Sequence, residues 1–71
     1  MEFIFSLNLT YREFMPYYRG DVDKVEVRDR RGTRLWINCR HFRRFLTPSG
    51  IHGWFRLVLN EKGDVVSLEL I

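Results

Sequence analysis

Residues 22–38 read VDKVEVRDRRGTRLWIN, and the architecture follows from how this stretch pairs with itself. Val22–Asp29 and Thr33–Asn38 alternate apolar and polar residues, the two-residue period of a half-buried strand. Between them, Arg30-Arg31-Gly32 is a three-residue loop with glycine last, which suits a type I turn followed by a glycine bulge. That register sets Asp29 opposite Thr33, Val27 opposite Leu35 and Val25 opposite Ile37. The four apolar residues then share one face, and Glu26, Arg28, Arg34 and Trp36 share the other. A one-residue slip would invert every side chain, so agreement between turn and alternation fixes the hairpin.

Upstream, Glu2–Asn8 alternates in the same way, with Phe3, Phe5 and Leu7 on one face. Thr10 followed by Glu13 is a capping-box pattern and opens a short helix, and Gly20 stops it. Tyr11, Phe14, Met15 and Tyr18 form its apolar stripe, while Pro16 keeps the helix short or distorted. Downstream, a second helix is expected over Cys39–Leu46 with Asn38 as N-cap. On a helical wheel Phe42, Phe45 and Leu46 occupy one arc, and Arg40, Arg43 and Arg44 the opposite one. His52–Leu59 and Asp64–Leu70 are two further strands around Asn60-Glu61-Lys62-Gly63. Here a glycine-bulge register would set Leu57 opposite Ser67. A register one residue shorter sets Leu57 opposite Val66 and Phe55 opposite Leu68, and burial of a whole face favours the shorter one.

The expected order is β-α-β-β-α-β-β, an α+β fold in one domain spanning residues 1–71. Its mostly antiparallel five-stranded sheet is flat or curled into a half-open barrel, with two short helices. Composition agrees, since the chain lacks alanine and glutamine while Val, Ile, Thr, Tyr, Phe and Trp supply 24 of its 71 residues. The 45% apolar and 30% charged fractions are those of a globular chain. A single cysteine, Cys39, excludes an intramolecular disulfide. No apolar run is long enough to span a membrane, and Met1–Leu9 is too short and too acidic for a signal peptide. A reducing, cytoplasmic setting is expected.

The net charge of +3 conceals its distribution. Residues 1–27 and 45–71 are each slightly acidic. Between them lie Arg28, Arg30, Arg31, Arg34, Arg40, Arg43 and Arg44, opposed only by Asp29. Arginine is suited to forked recognition of phosphate or carboxylate. Arg28 and Arg34 face each other across the hairpin, a mildly destabilising arrangement that calls for counter-charge from elsewhere. Trp36 lies two residues from Arg34, and Trp54 two from Arg56. In a single sheet this outward face, with Ile4, Val58 and Val65, is mixed rather than polar, which points to a covering partner.

Catalytic chemistry finds little support. Cys39, His41 and His52 form the one conceivable metal set, but helical positions 39 and 41 diverge too far to share an ion. Cys39 has no base in reach: Arg40 could favour its thiolate without making it a catalytic nucleophile. Ser6, Ser49 and Ser67 lack a nucleophile elbow. Gly50-Ile51-His52-Gly53 runs into a strand rather than a helix, so it reads as a tight turn before it reads as an anion nest. No metal, cofactor or catalytic residue is assigned, and the chain is expected not to be an enzyme.

Phe5-Ser6-Leu7-Asn8, Phe14, Tyr17-Tyr18 and Gly20, then Gly50-Ile51-His52-Gly53 with Phe55 and Leu57, resemble a small bacterial family catalogued only as a domain of unknown function. The likeness runs over nearly the whole chain, including Arg44-Phe45-Leu46-Thr47-Pro48. It implies a bacterial cytoplasmic protein of this fold and carries no activity with it. Two binding functions remain as expectations. In a protein-interaction or assembly module, with a protein partner or a second copy, Trp36 and Trp54 would be interface anchors. In a domain for single-stranded nucleic acid or RNA, Arg28, Arg30, Arg31, Arg34, Arg40, Arg43, Arg44 and Arg56 would hold phosphates while the tryptophans stack on bases. The second requires that the arginines converge on one surface.

Overall fold

The computed structural model describes residues 1–71. Strand β1 (Glu2–Leu9) leads into helix α1 (Tyr11–Tyr18), followed by β2 (Lys24–Arg28) and β3 (Arg34–Asn38). Two single 3-10 turns at Cys39–His41 and Arg43–Phe45 come next, and then β4 (Ile51–Leu59) and β5 (Val65–Leu70). This is the α+β order read from the sequence, but the strands divide between two antiparallel sheets. One has the order β1-β4-β5 and the other is the β2-β3 hairpin. They do not close into a barrel. The link between them along the backbone is a hydrogen bond of 2.9 Å from the Arg30 N–H to the Ile4 carbonyl.

The β2-β3 register is the expected one: Val25 pairs with Ile37, Val27 with Leu35 and Arg28 with Arg34. Asp29 does more than fill a turn position. Its Oδ1 accepts from the Arg31 and Thr33 N–H groups at 3.0 and 2.7 Å, so this largely buried carboxylate organises the loop from within. Gly32 takes the positive φ of 90° that the bulge requires.

The β4-β5 hairpin satisfies both cues that conflict in the sequence, and neither simple register describes it. Next to the turn, Leu59 pairs with Val65, as the glycine-bulge register demands. A bulge then shifts the register between Val58 and Leu59, so that Leu57 faces Leu68 and Phe55 faces Leu70. The shorter register, with Leu57 against Val66, is therefore incorrect. The turn keeps its own geometry, and one extra residue, Val66, restores burial of Leu68 further along. Val66 is left 62% exposed, and Val65 packs toward the core instead of the outer face.

The second helix also differs from expectation. Hydrogen bonds run from Phe42 N to Cys39 O, from Phe45 N to Phe42 O and from Leu46 N to Arg43 O, each spanning three residues. With three residues per turn, positions i and i+3 eclipse. Cys39, Phe42 and Phe45 thus line up toward the core, and Leu46 packs against it as the helical arc requires. Asn38 caps the segment as expected, accepting from the Arg40 N–H at 3.0 Å. In α1 the capping box forms in both directions between Thr10 and Glu13. The buried contact is narrower than the expected stripe: Phe14 is inside with Tyr17 stacked on it, while Tyr11 and Tyr18 are exposed.

Both sheets and the 3-10 segment meet at one aromatic cluster. Phe5 stacks on Phe55 with centroids 5.6 Å apart, and Phe42 stands edge-on to both at 6.2 and 5.8 Å. Val25, Val27 and Ile37 close it from the hairpin side. Ile51, fully buried, follows Gly50, whose backbone passes so close to β1 that a Cβ there would lie 2.0 Å from the Leu9 carbonyl oxygen.

Candidate interaction surface

The structure separates what a single sheet would have joined. Trp36 lies on the outer face of the hairpin, opposite Glu26, and Trp54 lies on the outer face of the three-stranded sheet, opposite Ser6. They are 59% and 51% exposed, but they belong to different sheets rather than to one common face.

The arginines divide as well. Arg30 and Arg31 sit at the hairpin tip, with Arg28 and Arg34 beside it. Arg34 Nε is 3.1 Å from Glu26 Oε1, so part of the counter-charge comes from the neighbouring strand. Arg56 reaches Glu69 at 3.6 Å and Glu2 at 4.0 Å, within its own sheet. Arg40, Arg43 and Arg44 lie beyond the other end of the hairpin. At 3.3–3.4 Å per strand residue, that is roughly 20 Å from the tip. The remaining ion pair joins Arg19 to Asp21, so Arg28, Arg30, Arg31, Arg40, Arg43 and Arg44 have no carboxylate partner.

Within the 39–45 segment the three-residue period places Arg40 and Arg43 in one row and His41 and Arg44 in another. Arg43 lies over the Tyr18 ring at 5.3 Å and donates to the Tyr18 carbonyl at 3.4 Å. Arg44 packs over Phe45 at 4.5 Å and donates from Nη2 to the Leu68 carbonyl of β5. Arg40 makes neither an ion pair nor a cation–π contact and is exposed. Burial, and then the Arg40 charge, push the His41 pKa below its ordinary value.

Two grooves flank this segment. One, of about 400 Å³, runs between β3 and the turn end of the β4-β5 hairpin. Leu35, Leu59 and Val65, all half-buried, contribute its apolar lining, and Trp36, Arg40, His41 and Asp64 its rim. The second, of about 490 Å³, continues along β5 beneath Arg40, Arg43 and Arg44. Leu59 continues the inward alternation of Phe55 and Leu57, and Val65 faces it in the register set by the turn rather than in the shorter one expected.

The residues weighed for catalysis are dispersed. Cys39 is buried, with Sγ directed at the Tyr17 and Val22 carbonyls at 3.6 and 3.9 Å. His52 is held between Asn8 Oδ1 at 3.2 Å and the Ser49 carbonyl at 2.9 Å, in another part of the fold. No three His, Cys, Asp or Glu side chains come together as a metal-binding group. No helix is long and apolar enough to cross a membrane.

A family model described as Protein of unknown function (DUF2835) matches residues 1–71. No curated protein and no solved structure matches the chain.

Proposed function

The chain therefore belongs to the DUF2835 family, and from that premise we propose that it is a small non-catalytic protein-interaction module whose binding site is the groove beside β3. The observation that carries this reading is the uncovered apolar lining of that groove beside a large exposed aromatic. Leu35, Leu59 and Val65 stay half-buried there, and Trp36 stands 59% exposed at the rim. Tryptophan and arginine are the residues that most often dominate interface energy, and Arg40 lies on the same rim. Trp54 lies on another sheet and is not part of this site.

The nucleic-acid reading rests on Arg28, Arg30, Arg31, Arg40, Arg43 and Arg44, which lack a carboxylate partner. Their division between the hairpin tip and the 39–45 segment, roughly 20 Å apart by strand geometry, makes it the weaker of the two. A photo-crosslinking residue placed at position 36, with position 54 as control, separates them in living cells. Discrete protein adducts at position 36 and none at 54 are expected. Nucleic-acid adducts at position 36, or no adduct at either, overturn the proposal.

A further inference from the structure

The groove beside β3 is bounded by a strand edge, and the two free strand edges nearest it are not alike. In the β2-β3 ladder the Asp29 N–H donates to the Thr33 carbonyl and the Cys39 N–H to the Asp23 carbonyl. Antiparallel alternation then makes Val27–Leu35 and Val25–Ile37 the hydrogen-bonded pairs, so the backbone groups of Arg34, Trp36 and Asn38 point away from β2. Trp36 and Asn38 both line the groove, so this is the edge that opens into it. The facing edge, on β5, is interrupted by the Val66 bulge, and its Leu68 carbonyl is capped by Arg44.

We infer that the free edge of β3 accepts an extended polypeptide segment of alternating acidic and apolar residues as an added strand. The inference rests on the interaction-module reading and names its partner. Pleating supplies the alternation. On a strand laid beside β3, every second side chain points down onto Leu35, Leu59 and Val65, and the others point up beside Arg34 and Trp36. Charge supplies the acid. Arg40 lines both grooves, and Arg43 and Arg44 the adjoining one along β5, all without a carboxylate partner, against a single acid, Asp64, on the rim beside β3. A second copy is a poor occupant, since it would bring its own Arg34 and Arg40 to the same edge.

The test uses the purified chain and a labelled synthetic peptide of alternating Glu and Val. Its controls are a Lys–Val peptide and a Glu–Val peptide N-methylated at every second residue. Saturable binding of Glu–Val is expected, with the Trp36 and Asn38 amides newly protected from hydrogen exchange, while Leu35 and Ile37, already paired to β2, change little. N-methylation or Arg40→Gln should each weaken binding about tenfold, as expected when hydrogen bonds or a charge-assisted contact are lost. Equal binding of the N-methylated peptide, protection confined to β5, preference for Lys–Val, or displacement by single-stranded RNA would each overturn the inference. Specific protein adducts at position 36 alongside any of these would leave the module standing with a different partner. Absence of adducts together with absence of peptide binding removes both.

Discussion

The two sheets treat their outer edges in opposite ways. On β5 a bulge at Val66 interrupts the edge, and the Arg44 guanidinium occupies the Leu68 carbonyl that would otherwise be offered to another strand. Both are devices by which sheet proteins discourage edge-to-edge pairing. On β3 neither is present, and Arg34, Trp36 and Asn38 turn their backbone groups outward along a regular five-residue strand. One chain therefore contains a guarded edge and a bare one. The contrast leaves β3, and not β5, with its outward backbone groups open along the whole strand.

The largest effect on this contrast should come from the residue that holds the two sheets together. Phe42, fully buried and edge-on to Phe5 and Phe55, should cost about 3–5 kcal/mol when changed to Ala. In a core of this size that is close to the entire stability. Urea denaturation followed by tryptophan fluorescence should find Phe42→Ala largely unfolded. A folded Phe42→Ala variant would show that the sheets stand independently and that the groove is not a fixed structure.

A smaller effect is expected at the guard itself. Arg44→Ala removes the cap from Leu68 and should lower stability by only about 1 kcal/mol. It should also make the chain associate at concentrations where the wild type does not, because the β5 edge is then open. Sedimentation velocity reads the difference. Unchanged association in Arg44→Ala would assign the guarding to the bulge alone.

The smallest effect concerns pH and belongs to His41, in the segment between the edges. His41 has its pKa lowered by burial and by Arg40, so the unfolded chain takes up its proton at a higher pH than the folded one. Protonation of His41 thus favours the unfolded state. Its contribution is neutral well above the ordinary value of 6.5 and turns destabilising as pH falls through and below it. His41→Gln should flatten the stability profile in that window. A profile identical to wild type would show that the imidazole is as well solvated folded as unfolded.

How far the sequence reveals this molecule differs from one hairpin to the other. In β2-β3 the loop length, Gly32 and the alternation agree, and the register is legible to the residue. In β4-β5 the turn and the burial pattern disagree by one residue. The conflict is resolved by a bulge, which needs only an unpaired residue and has no signature of its own. The 39–45 segment shows another limit. Three and 3.6 residues per turn fit the same short pattern of aromatics and arginines, so the pattern alone does not choose between them. The site is legible in part for the same reasons. Trp36 and the arginines stand out by type, but their grouping depends on the sheets separating. Val65 joins Leu59 in the groove through the turn's own register, which the burial pattern of the sequence argues against.

The pairing of β1 with β4 has a consequence in time. Glu2 meets Val58 and Leu9 meets Ile51, so the central ladder joins strands separated by α1, the β2-β3 hairpin and the 3-10 turns. Closing so long a loop costs entropy before any of the ladder's contacts form, whereas both β2-β3 and β4-β5 close through short turns. The expected order is two hairpins first and β1 last. On a ribosome, β1 emerges before its partner and would wait unpaired until Ile51–Leu59 has been made.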